Sequence, residues 1–195
     1  MNTVSGSDLK TLLTSTTLAL ALGGLGTLAL PAPATAGVTD HQASCRRAAG
    51  SAAAKYFKMA AGALAKCRDA VSTGKLAAGT DCGTEPKTAL KISKAAGKLT
   101  AQVVRSCADP VVTTLRFGGD CEDETTSEGL VTCLRADHDS TIADLVAVLY
   151  TTPGEIPAAE RKCQHTASKQ SRKVATAWLK QLRKCKDAAD ADKLP

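Results

Sequence analysis

Large apolar and aromatic side chains are scarce in this 195-residue chain, which has two Phe, two Tyr, one Trp and two Met. From Gly37 onward, Leu, Ile, Val and Phe together make up about 17 % of residues, a level at which an uncrosslinked chain tends to disorder. That scarcity excludes a fold held by a large greasy core alone. No run alternates apolar and polar residues with a period of two, which excludes a strand-based fold. There is no Cys-x-x-Cys, so a thioredoxin-like redox pair is excluded, and no Cys-x-x-Cys-His, so covalent haem is excluded too. Gly-x-Ser-x-Gly is missing, and Gly118-Gly119 stands as an isolated turn outside any phosphate-binding glycine loop. Nothing therefore argues for an enzyme, and no cofactor is expected.

The cysteines are what the sequence does have. Eight occur, all after position 36: Cys45, Cys67, Cys82, Cys107, Cys121, Cys133, Cys163 and Cys185. Before them lies a polar stretch with Lys10, then an apolar run from Leu12 to Leu30, Pro31 and Pro33, and the small-residue triplet Ala34-Thr35-Ala36. That order is the layout of a secretory signal peptide over residues 1–36, with cleavage before Gly37. The rival reading is a membrane anchor, but the Gly, Thr and Ala content and the adjoining cleavage triplet favour removal. No Cys flanks the triplet, which argues against a lipoprotein, and no later segment approaches membrane-spanning length. An even cysteine count behind such a leader reads as disulfides made in an extracytoplasmic compartment, secreted or periplasmic. Crosslinks at ~2–4 kcal/mol each offset what an alanine-rich core, at ~0.8 kcal/mol per buried CH₂, does not provide.

Four segments have a 3.6-residue period. The first, about 40–73, opens at Asp40, and nine of its 23 residues between Cys45 and Cys67 are Ala. The second, about 85–107, carries Ile92, Ala96, Leu99, Val103 and Cys107 on one stripe. The third, about 127–150, aligns Leu130, Leu134, Ile142, Leu145 and Leu149. The fourth, about 157–189, aligns Val174, Trp178, Leu182 and Cys185, a stripe expected to face the core. The expected fold is all-α: disulfide-stapled antiparallel helical hairpins or a four-helix bundle. A first module would span 37–108, a linker 109–126, and the third helix plus a partial second module 127–195.

The partial module comes from an internal repeat. Cys45–Ala77 aligns without a gap on Cys163–Pro195, matching ten of 33 positions, including both cysteines, Lys55/Lys173, Leu64/Leu182, Lys66/Lys184 and Asp69-Ala70/Asp187-Ala188. Counterparts of Cys82 and Cys107 would fall past Pro195, so the second copy reads as half a module or a truncated one. The four-cysteine spacing, with Lys66-Cys67-x-Asp69, Gly74-Lys75-Leu76 and Lys91-Ile92-x-Lys94-Ala95, resembles helical modules of secreted, Cys-rich bacterial proteins. The stretch from Cys121 to Cys133-Leu134 is similar to their spacer, except that Leu134–Asp137 lack the further cysteine such spacers carry. The resemblance implies secretion and a fold style, and no activity.

Cys45 and Cys67 lie ~33 Å apart along one helix and cannot bond to each other; the same holds for Cys163 and Cys185. Two schemes remain. One joins the first two helices through Cys45–Cys107 and Cys67–Cys82, with Cys121–Cys133 local and Cys163 and Cys185 left over. The other joins the first and last helices through Cys45–Cys185 and Cys67–Cys163. Sequential neighbours usually pack together, which favours the first.

Metal chemistry has little support. Cys163 and His165 point ~200° apart on a helix, and Cys133-x4-His138 is not a zinc spacing, so the three histidines are expected as solvated surface residues. The acidic run Asp120, Glu122, Asp123, Glu124 and Glu128 lacks the glycine and final glutamate of an EF-hand, and reads as a loop before a helix N-terminus.

Charge gives the one hint of a partner. Residues 118–160 carry ten acids and one base, while 161–186 carry nine bases and no acid. Lys169, Arg172, Lys173, Lys180, Arg183 and Lys184 are thus candidate contacts to an anionic polymer or membrane surface. The two sums cancel, so mutual packing of the two segments is the favoured expectation. The leading functional expectation is a secreted, non-enzymatic structural or binding protein. An anionic-surface binder comes next, and then an inhibitor or scaffold for a protein partner.

Overall fold

A computed structural model describes residues 38–151 and 154–191. The expected signal peptide and the tail of the repeat at Lys193-Leu194 lie outside the described residues. Five helices occur in order: α1 Asp40–Ser72, α2 Pro86–Ser106, α3 Asp109–Leu115, α4 Ser127–Leu149 and α5 Ala158–Asp190, with a 3₁₀ turn at Gly119–Cys121. No strand occurs among the described residues. The chain is an all-α, disulfide-stapled helical bundle.

α1 starts at Asp40, as its sequence indicates, and is capped by the residue before it. Thr39 accepts from the Gln42 N–H while the Gln42 side chain accepts from the Thr39 N–H, a reciprocal capping box. The helix ends at a left-handed Gly74 (φ 69°), whose N–H donates to the Val71 carbonyl while Lys75 N–H returns to that of Ala70. α2 begins with Pro86 in its first turn and a Glu85 carboxylate accepting from the N–H groups of Lys87 and Thr88.

α1 is the hub, packing on α2 most extensively and also on α3, α4 and α5. Its alanines make this possible: Ala49, Ala52, Ala53, Ala60, Ala61, Ala63 and Ala65 are all buried, interspersed with Tyr56 and Phe57. Opposite them lie Ala95, Leu99 and Val103 of α2, Leu130 and Ile142 of α4, and Val112 and Leu115 of α3. Three disulfides staple this core: Cys45–Cys107, Cys67–Cys82 and Cys121–Cys133. They match the first of the two schemes and leave Cys163 and Cys185 as exposed thiols. Three crosslinks point to an extracytoplasmic protein.

The structure adds detail to one expectation and corrects two others. Residues 109–126, read as a linker, contain α3; Pro110 fits the first turn of a helix, and the Asp109 carboxylate accepts from the Ser127 N–H at 2.8 Å, tying α3 to the start of α4. His138 is half-buried, its ring edge-on to Phe57 at 5.9 Å, where burial lowers its pKa. The stripe of α5 faces solvent: Val174 is 68 % exposed, Trp178 64 % and Leu182 50 %. α5 instead packs on the core through Ala175 and Leu179, with Arg183 along Gly50 of α1 and the buried Ser168 bonded to Tyr150.

Candidate functional site

A groove of about 870 Å³ lies between α1 and α2, closed at one side by Arg172 of α5. Helical spacing builds it. Ala52, Lys55, Met59, Gly62 and Lys66 recur every three or four residues along α1, and Lys91, Ala95, Lys98, Gln102 and Arg105 do so along the antiparallel α2. The floor is apolar: buried Ala52, Tyr56, Ala63, Ala95 and Leu99, with the flexible Met59 partly exposed above them.

The rim is cationic. Lys55, Lys58 and Lys66 of α1, Lys91, Lys98 and Arg105 of α2, and Arg172 of α5 all line the groove, and no carboxylate does. Arg172 is held in place by its Nε donating to the Ser168 carbonyl at 3.3 Å, and its guanidinium reaches across to Gly62. With low-dielectric walls and charge of one sign, such a groove concentrates anions.

No family model, curated protein or solved structure matches this chain. What bears on its function is the geometry of the chain itself.

Of the six basic residues singled out on α5, only Arg172 enters the groove. Arg183 lies along α1 against Gly50, its aliphatic stem the part nearest that backbone. Lys169, Lys173, Lys180 and Lys184 are exposed and, with Lys162, form a separate stripe running along one face of α5. Among the described residues, the expected pairing of α5 with residues 118–160 is limited to one ion pair. Arg161 pairs with Glu155 at 3.8 Å, while the other ion pairs joining α5 to the bundle run to α1, Arg46 with Asp190 and Arg47 with Asp187, and His165 lies 3.8 Å from the Asp69 carboxylate.

The signal for the groove was present in the sequence. From Gln42 to Arg68 there are six bases and no acid, and from Pro86 to Ala108 five bases and no acid. Both runs are obscured by the stronger contrast further along the chain.

Two tyrosines, Tyr56 buried and Tyr150 half-buried, tie α4 to its neighbours. Tyr56 donates to the Asp139 carboxylate, which also pairs with Arg135 at 3.4 Å. Burial and then Asp139 push the Tyr56 pKa up to about 12. Tyr150 lies 2.9 Å from both Asp69 Oδ1 and Ser168 Oγ, and burial raises its pKa to about 12 as well. Both phenols stay protonated at neutral pH and act as ties between helices. No three His, Cys, Asp or Glu side chains converge as metal ligands among the described residues. No described helix is long and apolar enough to cross a membrane.

Proposed function

We propose that this chain is a non-enzymatic, extracytoplasmic binding protein whose α1–α2 groove takes an anionic amphiphile: a linear apolar chain with an acidic head. One observation carries the reading, namely seven cations and no carboxylate around an apolar floor. From Ala52 to Lys66 the groove runs ~21 Å along α1, enough for an extended alkyl chain of common length. Its volume lies within the range of small-ligand sites, ~300–1,000 Å³.

The test is calorimetric titration with a twelve-carbon alkyl sulfate below its micelle concentration, beside a zwitterionic amphiphile of the same chain length. Saturable one-to-one binding of the anionic form is expected, weakened about tenfold or more by Lys55→Glu with Lys98→Glu. Equal binding of the zwitterionic form, or indifference to the double charge reversal, would overturn the reading.

A second reading has its own observation, the exposed lysine stripe of α5. An anionic polymer would bind there with strong salt dependence. Heparin retention that is lost on Lys173→Glu with Lys180→Glu, and unaffected by the groove variants, would move the function to α5.

A further inference from the structure

α1 and α5 are each 33 residues long, and each carries its two cysteines five residues in from either end. In α1 the stripe between them, Cys45, Ala49, Ala53, Tyr56, Ala60 and Cys67, is buried, and α2 covers it antiparallel with a disulfide at each end. Of the register-equivalent positions of α5, Cys163, Ala167, Val174, Trp178 and Cys185 are exposed and Ser171 is half-buried, and Leu182 extends the exposed stripe. It lies ~110–120° around the helix from the face that meets the bundle, and ~135° from the lysine stripe.

We propose that a second copy of this chain covers it. Two α5 helices pair antiparallel about a two-fold axis through Val174 and are joined by two reciprocal Cys163–Cys185 disulfides. Val174 is midway between the two cysteines, so an antiparallel copy centred there brings each Cys163 to the other copy's Cys185. The interface is isologous, as closed dimers require. Trp178 of each copy then lies over Gln170 and Val174 of the other, covering the largest exposed aromatic of the molecule. The lysine stripes point away from the seam, beyond the ~8–10 Å over which salt leaves charges interacting.

Area explains why the cysteines are needed. A seam ~33 Å long and ~10 Å wide buries roughly 700 Å² in total, below the ~1,200 Å² of stable non-covalent interfaces. The helix pair therefore orients the thiols, and the bonds hold the dimer. Each bond forms by thiol–disulfide exchange with a small or protein disulfide of the compartment. A Cys163 thiolate attacks the oxidant and releases one thiol; the Cys185 thiolate of the other copy then displaces the second. Two protons and two electrons leave per bond, and the oxidant is reduced to two thiols.

The experiment uses the full chain expressed through an oxidising export route and analysed without reduction by intact mass and disulfide peptide mapping. A covalent dimer is expected, with Cys163–Cys185 cross-peptides, returning to monomer on mild reduction with helicity unchanged. The single variant Cys163→Ser separates the registers. An antiparallel pair loses its covalent dimer, because each Cys185 then faces a serine. A parallel pair keeps a Cys185–Cys185 bond, and that result would overturn the proposal. So would a monomer with two titratable thiols, or both cysteines bonded to a different molecule.

Discussion

α1 and α5 have the same length and the same cysteine register, yet one is the most buried helix of the molecule and the other the most exposed. The difference does not lie in helix-forming tendency, since both are long, Ala-containing and free of interior proline. It lies in the partners that the neighbouring chain supplies to each helix. After α1 come Cys82 and Cys107, placed to close both ends of an antiparallel hairpin. α5 has no such hairpin partner among the described residues, and it rests on the bundle by a third face. A stripe of apolar residues therefore specifies that a helix can be covered, while crosslinks and neighbours decide whether it is.

The largest break in this comparison is expected from the staples. Cys45→Ala with Cys107→Ala opens a crosslink across a sequence separation of 62 residues, for which chain entropy gives ~4 kcal/mol. Cys163→Ser with Cys185→Ser is expected to leave the fold of each chain within ~0.5 kcal/mol. Urea unfolding of the two variants, monitored by circular dichroism, compares them directly.

Next come the stripes themselves, tested in the Cys163→Ser, Cys185→Ser background so that assembly does not interfere. Leu99→Ala, in the buried face opposite α1, is expected to cost ~2–5 kcal/mol through the lost contacts and the cavity left behind. Trp178→Ala removes a larger side chain and is expected to change stability by no more than ~0.5 kcal/mol. Equal losses would mean that α5 is covered within the single chain.

The smallest effect is a pH dependence carried by α4. Burial against Phe57 lowers the His138 pKa below its ordinary 6.5. The unfolded chain therefore binds a proton at a pH where the folded one does not. The stability associated with neutral His138 is present above pH 6.5 and is lost as pH falls through the folded value. His138→Gln should flatten the melting temperature across that window.

Four helices were legible in the sequence because each is long enough for a 3.6-residue period to repeat several times. α3 was not, since seven residues hold under two turns and Asp109-Pro110 reads equally well as a stop and a start. The disulfides were legible because a single helix holds two cysteines too far apart to bond, which leaves few pairings. The fate of Trp178 was not. Periodicity reports that a stripe exists, and a helix with three usable faces does not announce which one docks. The groove was hidden for a related reason: its cations come from two helices read separately, and only the antiparallel hairpin sets them face to face.

The alanine spine of α1 also shapes how the molecule responds to temperature. Burying methyl groups removes far less apolar surface from water per residue than burying leucine or phenylalanine. The staples further keep the unfolded chain compact. Both reduce the hydration change on unfolding, and with it the heat-capacity increment that curves the stability of ordinary domains. A small increment means a shallow, broad dome: the bundle loses little stability on cooling, unfolds over a wide thermal range and shows a low dependence on denaturant. Much of its robustness is built into the covalent connectivity of the chain, and connectivity does not weaken in the cold as hydrophobic burial does.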